Sequence, residues 1–209
     1  MAEPVPPCVI LNEPQLAENI GAVARVMANF GLFDLRMVRP RDGWPQERAW
    51  ACASGADWPL DNARVFATLE EAIADLQLLY ATTARPRELH LPVITPREAA
   101  ANLRAASEGG QKIGLLYGGE RAGLETHDIA LAQAVVTSPI DPKFRSLNLA
   151  QAVAVGDLCR RFADEGVWVR PMGKVVYLTP ALTIDADDLD ALCAAVVKGL
   201  HGVAGAAGR

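Results

Sequence analysis

Three short stretches of the chain hold the residue types from which a binding or catalytic site could be built. The first is YGGERAGLE (117–125), a glycine-rich loop carrying Glu120 and Arg121 directly after the apolar run KIGLLYG, as phosphate-binding loops do. It is not a P-loop: Gly118 and Gly123 have the GxxxxG spacing, but Leu124 and Glu125 stand where Lys and Ser/Thr are required. The second is SPIDPKFRSLNLAQAV (138–153), a proline-punctuated loop that delivers Ser146 and Asn148 to the mouth of an apolar helix. The third is ENIGAVARVMANFG (18–31), where Arg25 falls off the apolar stripe of Ile20, Ala24 and Met27 and so is not required by a core. No GxGxxG, GxSxG or HExxH pattern accompanies them, and His90, His127 and His201 lie far apart without acidic or cysteine neighbours at ligand spacing. A metal site or a Ser/His/Asp triad is therefore not expected. Each stretch also has a plain structural reading: a tight turn at the glycines, helix caps at Ser146 and Asn148, a solvated helix arginine at Arg25.

The elements that must carry these stretches follow from apolar periodicity. CVIL (8–11), LRMV (35–38), LQLLYATT (76–83), KIGLLYG (112–118) and AVVTSPI (134–140) are unbroken apolar runs of strand length, the pattern of strands covered on both faces in a parallel sheet. Between them, Ile20, Val23, Ala24, Met27 and Ala28 predict an amphipathic helix ending near Gly31. TLEEAIADL and TPREAAANL each open with Thr followed three residues later by Glu, and the second adds Pro at the first helical position. Ser146 to Phe162 is apolar around nearly its whole circumference and predicts a buried helix. The alternation implies an α/β fold with a mainly parallel sheet flanked by helices, and loops at the carboxyl ends of parallel strands are where such folds bind ligands. After about Gly166 the pattern turns extended and proline-punctuated, followed by a candidate helix over 187–200. We therefore divide the chain into 1–165 and a C-terminal extension, 166–209.

Composition narrows the classes further. Of the 209 residues 51% are hydrophobic and 22% charged, enough apolar material for a sizeable core. No stretch approaches the ~20 apolar residues of a membrane span, and MAEPVPPC lacks the regions of a signal peptide, so the expectation is a cytoplasmic protein. The cysteines, Cys8, Cys52, Cys159 and Cys193, are scattered in apolar surroundings and read as buried free thiols. A net charge of −5 argues against generalised binding to nucleic acid, which makes the basic clusters at Arg36, Arg39 and Arg41 and at Lys143 and Arg145 the places to look.

Taken together and in this order, the three stretches resemble the three motifs of the SpoU/TrmH family of RNA ribose 2′-O-methyltransferases, members of the SPOUT superfamily. The first motif is matched by Asn19, Gly21, Arg25, Asn29 and Gly31, the second by LLYGGERAGL, and the third by SPIDPKFRSLNLAQAV. Within the family the chain is most similar to the TrmJ branch, to which ATTARPR (81–87) also points, and the likeness covers roughly 8–165. The C-terminal extension departs from that branch. The resemblance implies a SPOUT fold whose C-terminal part forms a trefoil knot, a homodimer, S-adenosylmethionine as cofactor, and methylation of a ribose in RNA, in this branch in the anticodon loop of tRNA. Ribosomal RNA as substrate, or a noncatalytic RNA-binding protein of the same fold, are the alternatives.

Carried over position by position, the resemblance assigns the cofactor to Thr82, Thr83, Ala84, Gly118, Ser138, Ile140 and Leu147, largely through backbone groups. It assigns the chemistry to Arg25, Asn19, Glu120, Ser146 and Asn148. Arg36, Arg39, Arg41, Lys143 and Arg145 are the expected RNA contacts. Arg25 is sometimes cast as a general base in this family; a guanidinium with a pKa above about 12 is a poor base at neutral pH, so holding phosphate and stabilising a developing alkoxide is the preferred role.

Overall fold

A computed structural model describes residues 5–83, 90–137, 148–153, 170–172 and 175–177. The chain divides into two units, Met1–Asp157 and Leu158–Arg209. In the first, the strands are β1 (Cys8–Asn12), β2 (Leu35–Val38), β3 (Arg64–Phe66), β4 (Leu78–Thr82), β5 (Val93–Ile94), β6 (Ile113–Gly118) and β7 (Ala134–Val136). The helices are α1 (Ala17–Phe30), α2 (Glu47–Ala53), α3 (Trp58–Asp61), α4 (Leu69–Ile73), α5 (Pro96–Glu108) and α6 (Thr126–Ala130). In the second unit, β8 (Arg170–Met172) and β9 (Val175–Tyr177) pair antiparallel. Among the described residues no helix is long and apolar enough to cross a membrane. The segment expected to form the knot, the candidate helix over 187–200, Cys159 and Cys193 lie outside the described residues.

The seven strands of the first unit form one sheet in the order β3-β2-β1-β6-β4-β7-β5, with every pairing parallel. The unbroken apolar runs are its central strands, because helices on both faces leave no solvent side for polar residues. All five residues of β1 are buried. The capping boxes at Thr68–Glu71 and Thr95–Glu98 both form, and Gly31 ends α1 in the left-handed conformation. Two strands go beyond the sequence expectation, β3 and β5, which close the two edges. Three and two residues long, with Val65 48% and Val93 69% exposed, they are too short and too open to show a period.

Register decides what meets what. Asn12 pairs with Gly118 across β1 and β6, Thr82 with Tyr117 across β4 and β6, and Thr82 with Val136 across β4 and β7. The carboxyl ends of four adjacent strands therefore form one rim, with the glycine-rich loop at its centre. The opposite, amino-terminal edge is locked by charge. Arg36 is 3% exposed and donates to Asp34, to Asp75 and to the Ala72 carbonyl, while Arg64 and Lys112 pair with the same two carboxylates. This burial counts against the expectation that Arg36 contacts RNA: its neighbours in sequence are surface arginines, but in β2 its guanidinium is buried and engaged by Asp34 and Asp75. Burial pushes the neighbouring Cys8 thiol up to about 12, leaving it an inert core group.

Candidate active site

The loop after β6 turns back on itself. Gly119 and Gly123 form an isolated antiparallel bridge, with the Gly123 N–H donating to the Gly119 carbonyl at 2.9 Å. A Cβ on Gly118 would lie 2.3 Å from backbone atoms of Gly123 and Leu124, and one on Gly119 would lie 2.4 Å from the Glu13 carbonyl oxygen. Both glycines are required by close approach of backbone to backbone rather than by an unusual φ. Only Gly123 in this loop has positive φ, at +68°, and space around it is open.

Glu120, set by this loop, is the hub of the site. One oxygen accepts from the Asn19 side chain at 2.8 Å and from the Leu16 N–H at 3.2 Å, and the other accepts from the Gln15 N–H at 2.9 Å. Asn19 uses its own oxygen to accept from the Asn148 side chain at 3.0 Å. Asn148 in turn caps the helical turn over 149–153, its side-chain oxygen accepting from the Ala150 N–H at 2.9 Å. Residues 101 and 129 positions apart, one from each of the three sequence stretches, are thus joined in a single hydrogen-bonded chain. Asn148 is a helix cap and a site residue at once.

Thr82 and Thr83 lie on the same rim, half-buried. The Thr82 hydroxyl donates to the Leu116 carbonyl at 2.9 Å, and the Thr83 carbonyl accepts from the Thr137 hydroxyl at 2.9 Å. Their polar groups stitch the strand ends together, so Thr82 and Thr83 shape the rim as much as they line it. Asn12, at the end of β1 and in register with Gly118, is 4% exposed, and its side-chain oxygen has no hydrogen-bond partner. Ala84, Ser138, Ile140, Lys143, Arg145, Ser146 and Leu147 lie outside the described residues.

Arg25 is exposed on α1, and its guanidinium reaches Ser54 Oγ at 3.5 Å, outside the Glu120 network. Six residues separate it from Asn19, which places it roughly 9 Å along the helix and about 120° round it. Arg39 and Arg41 are also exposed, in surface pairs with Glu13 and Asp42. The hydrogen bond that Arg41 donates to Asp42 is the main cause that raises the Arg41 pKa, slight desolvation opposes it, and the charges of Asp42 and Glu120 add to it. The Arg41 N–H donates to the Pro14 carbonyl at 3.0 Å, next to the Gln15 that binds Glu120. Among the described residues no group of three or more His, Cys, Asp or Glu is arranged to hold a metal ion. Sequence reasoning missed the part played by the backbone of Gln15 and Leu16, since main-chain donors leave no mark on residue type.

The model of the SpoU rRNA Methylase family matches residues 6–156. The tRNA (cytidine/uridine/adenosine-2′-O-)-methyltransferase TrmJ of Pseudomonas aeruginosa is 40% identical over 166 residues, 79% of this chain and 63% of that protein. The crystal structure of TrmJ from Z. mobilis is similar with a TM-score of 0.72 and 52% identity, covering 75% of this chain and 68% of that one. The SpoU methyltransferase AviRb from Streptomyces viridochromogenes, solved in complex with AdoMet, shares the fold at 19% identity, with a TM-score of 0.60 over 78% of this chain and 60% of that one. The chain spans less than two thirds of the length of the curated relatives it matches.

Proposed function

The chain belongs to the SpoU rRNA Methylase family, and from that premise we propose that it transfers a methyl group from S-adenosylmethionine to a ribose 2′-hydroxyl of tRNA, at a nucleotide of the anticodon loop. The observation that carries the reading is the Asn148–Asn19–Glu120 chain, which draws three separate sequence motifs onto the carboxyl rim of a parallel sheet. A tRNA substrate is favoured over ribosomal RNA because relatives at 36–40% identity are named as tRNA 2′-O-methyltransferases.

The described rim suits the cofactor. The close-packed Gly118–Gly119 backbone leaves main-chain groups rather than side chains at the strand ends, which suits an adenine edge, and Asn12, in register with Gly118, has a buried side-chain oxygen without a partner. Gly118 with Thr82 and Thr83 would hold it, joined by Ala84, Ser138, Ile140 and Leu147 of the same assignment. S-adenosylmethionine, when bound, supplies a methyl already activated by its sulfonium. The protein's task is then to align the ribose and to make its hydroxyl a better nucleophile. Glu120, with three hydrogen bonds already accepted, is a positioning group that holds the loop against α1. Asn19 and Asn148 extend that hold to the helical turn over 149–153, and Ser146 is assigned beside the reacting groups. Arg25 holds RNA phosphate and stabilises the developing alkoxide. In this reading the protein is a homodimer whose partner subunit helps to complete the RNA site, aligning the basic residues Arg39 and Arg41 of one subunit with Lys143 and Arg145 of the other. Arg39, Arg41, Lys143 and Arg145 remain the proposed RNA contacts, without Arg36.

The test is methyl transfer from labelled S-adenosylmethionine to total RNA from a strain lacking the enzyme, followed by mapping of the modified nucleoside. Label on an anticodon-loop ribose is expected. Label on ribosomal RNA alone would reassign the substrate, and RNA binding without transfer would make the protein noncatalytic. Arg25→Ala should lower turnover by at least about a hundredfold with cofactor affinity kept. Arg25→Lys should recover only part, because lysine lacks the planar fork. A lysine variant of full activity with its pH profile moved to lower pH would restore the general-base role.

A further inference from the structure

Aromatic residues make up only 6% of this chain, yet three of its four tryptophans, Trp44, Trp50 and Trp58, fall between residues 44 and 58. The sheet core does not use them. Trp44 and Trp50 stack on each other with ring centroids 5.0 Å apart and planes 24° from parallel. The Trp50 indole N–H donates to Asp61 at 2.9 Å, which fixes that ring from the α3 side. Both rings stay half-buried on the surface, and Trp58 is 38% exposed. The pair is thus rigid and preoriented at the surface, with part of each ring accessible, rather than spent in the sheet core.

The pair is tied to the site by the chain on either side of it. Arg41, anchored through its backbone N–H to the Pro14 carbonyl next to the Gln15 that binds Glu120, precedes Trp44 by three residues, about 10 Å of extended chain at most. Trp50 follows Ala49, whose carbonyl lies where a Cβ on Gly21 would be, at 2.1 Å, so α2 sits directly on α1 two residues beyond Asn19. Arg41 is half exposed and, among the described residues, its side chain pairs with the adjacent, exposed Asp42. Such a surface pair is worth little and is readily exchanged for a phosphate.

We propose that the stacked Trp44 and Trp50 form a platform on which an unpaired base of the substrate RNA stacks, beside the nucleotide to be methylated, with Arg41 taking an adjoining phosphate. The inference rests on the reading of the chain as an RNA methyltransferase. It extends that reading with a recognition surface that none of the three sequence motifs contains. A nucleobase is the fitting occupant because indole faces bind bases of any sequence, because an anticodon loop offers unpaired bases, and because an exposed cation, Arg41, lies three residues before Trp44.

The test uses the full chain and an anticodon stem-loop with 2-aminopurine next to the target nucleotide. Trp44→Ala should weaken RNA binding by about tenfold or more, the scale of losing one stacked base, while S-adenosylmethionine affinity holds and the melting temperature falls by no more than the few degrees expected for losing the Trp44–Trp50 stack. Trp44→Phe should restore most of the affinity. The slope of affinity against salt should match wild type in Trp44→Ala, and fall by about one in Arg41→Ala, because only the arginine releases counterions. The 2-aminopurine should be quenched on binding wild type and not the alanine variant. Unchanged affinity in Trp44→Ala, beside a wild type that binds and methylates, overturns the platform alone. A wild type that binds no tRNA overturns both readings. Loss of the dimer in Trp44→Ala, with RNA affinity recovered at protein concentrations that restore it, gives the surface to a second copy of the chain instead.

Discussion

Removing the Glu120 carboxylate tests whether the three motifs act as one device. In Glu120→Ala, the Leu16 N–H, which faces solvent, finds water, whereas the Gln15 N–H and the Asn19 amide are half-buried and lose a charged acceptor at 2.9 and 2.8 Å. Hydrogen bonds to charged groups contribute about 1.5–3 kcal/mol each; with partial access of water to both donors, the loss comes to about 3 kcal/mol. For a chain of this size that is a fall in melting temperature of roughly 6–12 °C. Asn19→Ala breaks the link to Glu120 and the link to Asn148 together, and should cost about 2 kcal/mol. Because the two residues share a bond, the double variant should fall short of the sum by about 1–2 kcal/mol. Thermal and denaturant unfolding of the four proteins gives that coupling directly. Methyl transfer by the double variant should be no worse than by the poorer single variant, as for residues that act as a unit. Glu120→Gln should recover about half of the stability, since it keeps an acceptor for Asn19 but turns an amide N–H2 toward the Gln15 N–H. Additivity within about 0.5 kcal/mol would refute the reasoning, for it would mean that the bonds do not set the loop.

Two further outcomes follow from the geometry. Gly118→Ala forces a Cβ against the Gly123–Leu124 backbone and should cost at least about 3 kcal/mol and abolish cofactor binding, whereas Gly123→Ala has open space and should cost only about 1–2 kcal/mol through its positive φ; calorimetric titration with S-adenosylmethionine and melting curves of both variants check this, and equal costs would contradict it. The hydrogen bond from Arg36 lowers the Asp75 carboxyl to about 2, below its unfolded value, so its contribution is present above about pH 4 and lost as pH falls toward 2. With Asp75 41% exposed the effect is roughly 1 kcal/mol after allowance for screening, and an acid titration of stability should show that limb flattened in Arg36→Met.

Much of this protein is legible locally. Helices over 17–30, 69–73 and 96–108 are written in apolar periodicity, in Thr–x–x–Glu capping boxes and in Gly31, all of which depend on residues within a turn or two of one another. The central strands are written as unbroken apolar runs, because both faces of a parallel sheet are covered. The polar residues of the three motifs stand out because a core would have no use for them. Tertiary structure decided what distance along the chain conceals. Strand order and register set Gly118 beside Asn12, and with them the place of the rim. The edge strands β3 and β5 exist only because a neighbour offers a ladder to two or three residues. Arg36, Arg39 and Arg41 look alike in sequence. One is buried because Asp75, 39 positions on, is folded against it, while the others reach solvent. Glu120 looks like a free acid until the N–H groups of Gln15 and Leu16, more than a hundred residues earlier, occupy it. Local patterns record what a residue can do with its neighbours in sequence; whether a charge is spent inside the protein or left for a substrate depends on partners that only the folded chain brings within hydrogen-bonding distance.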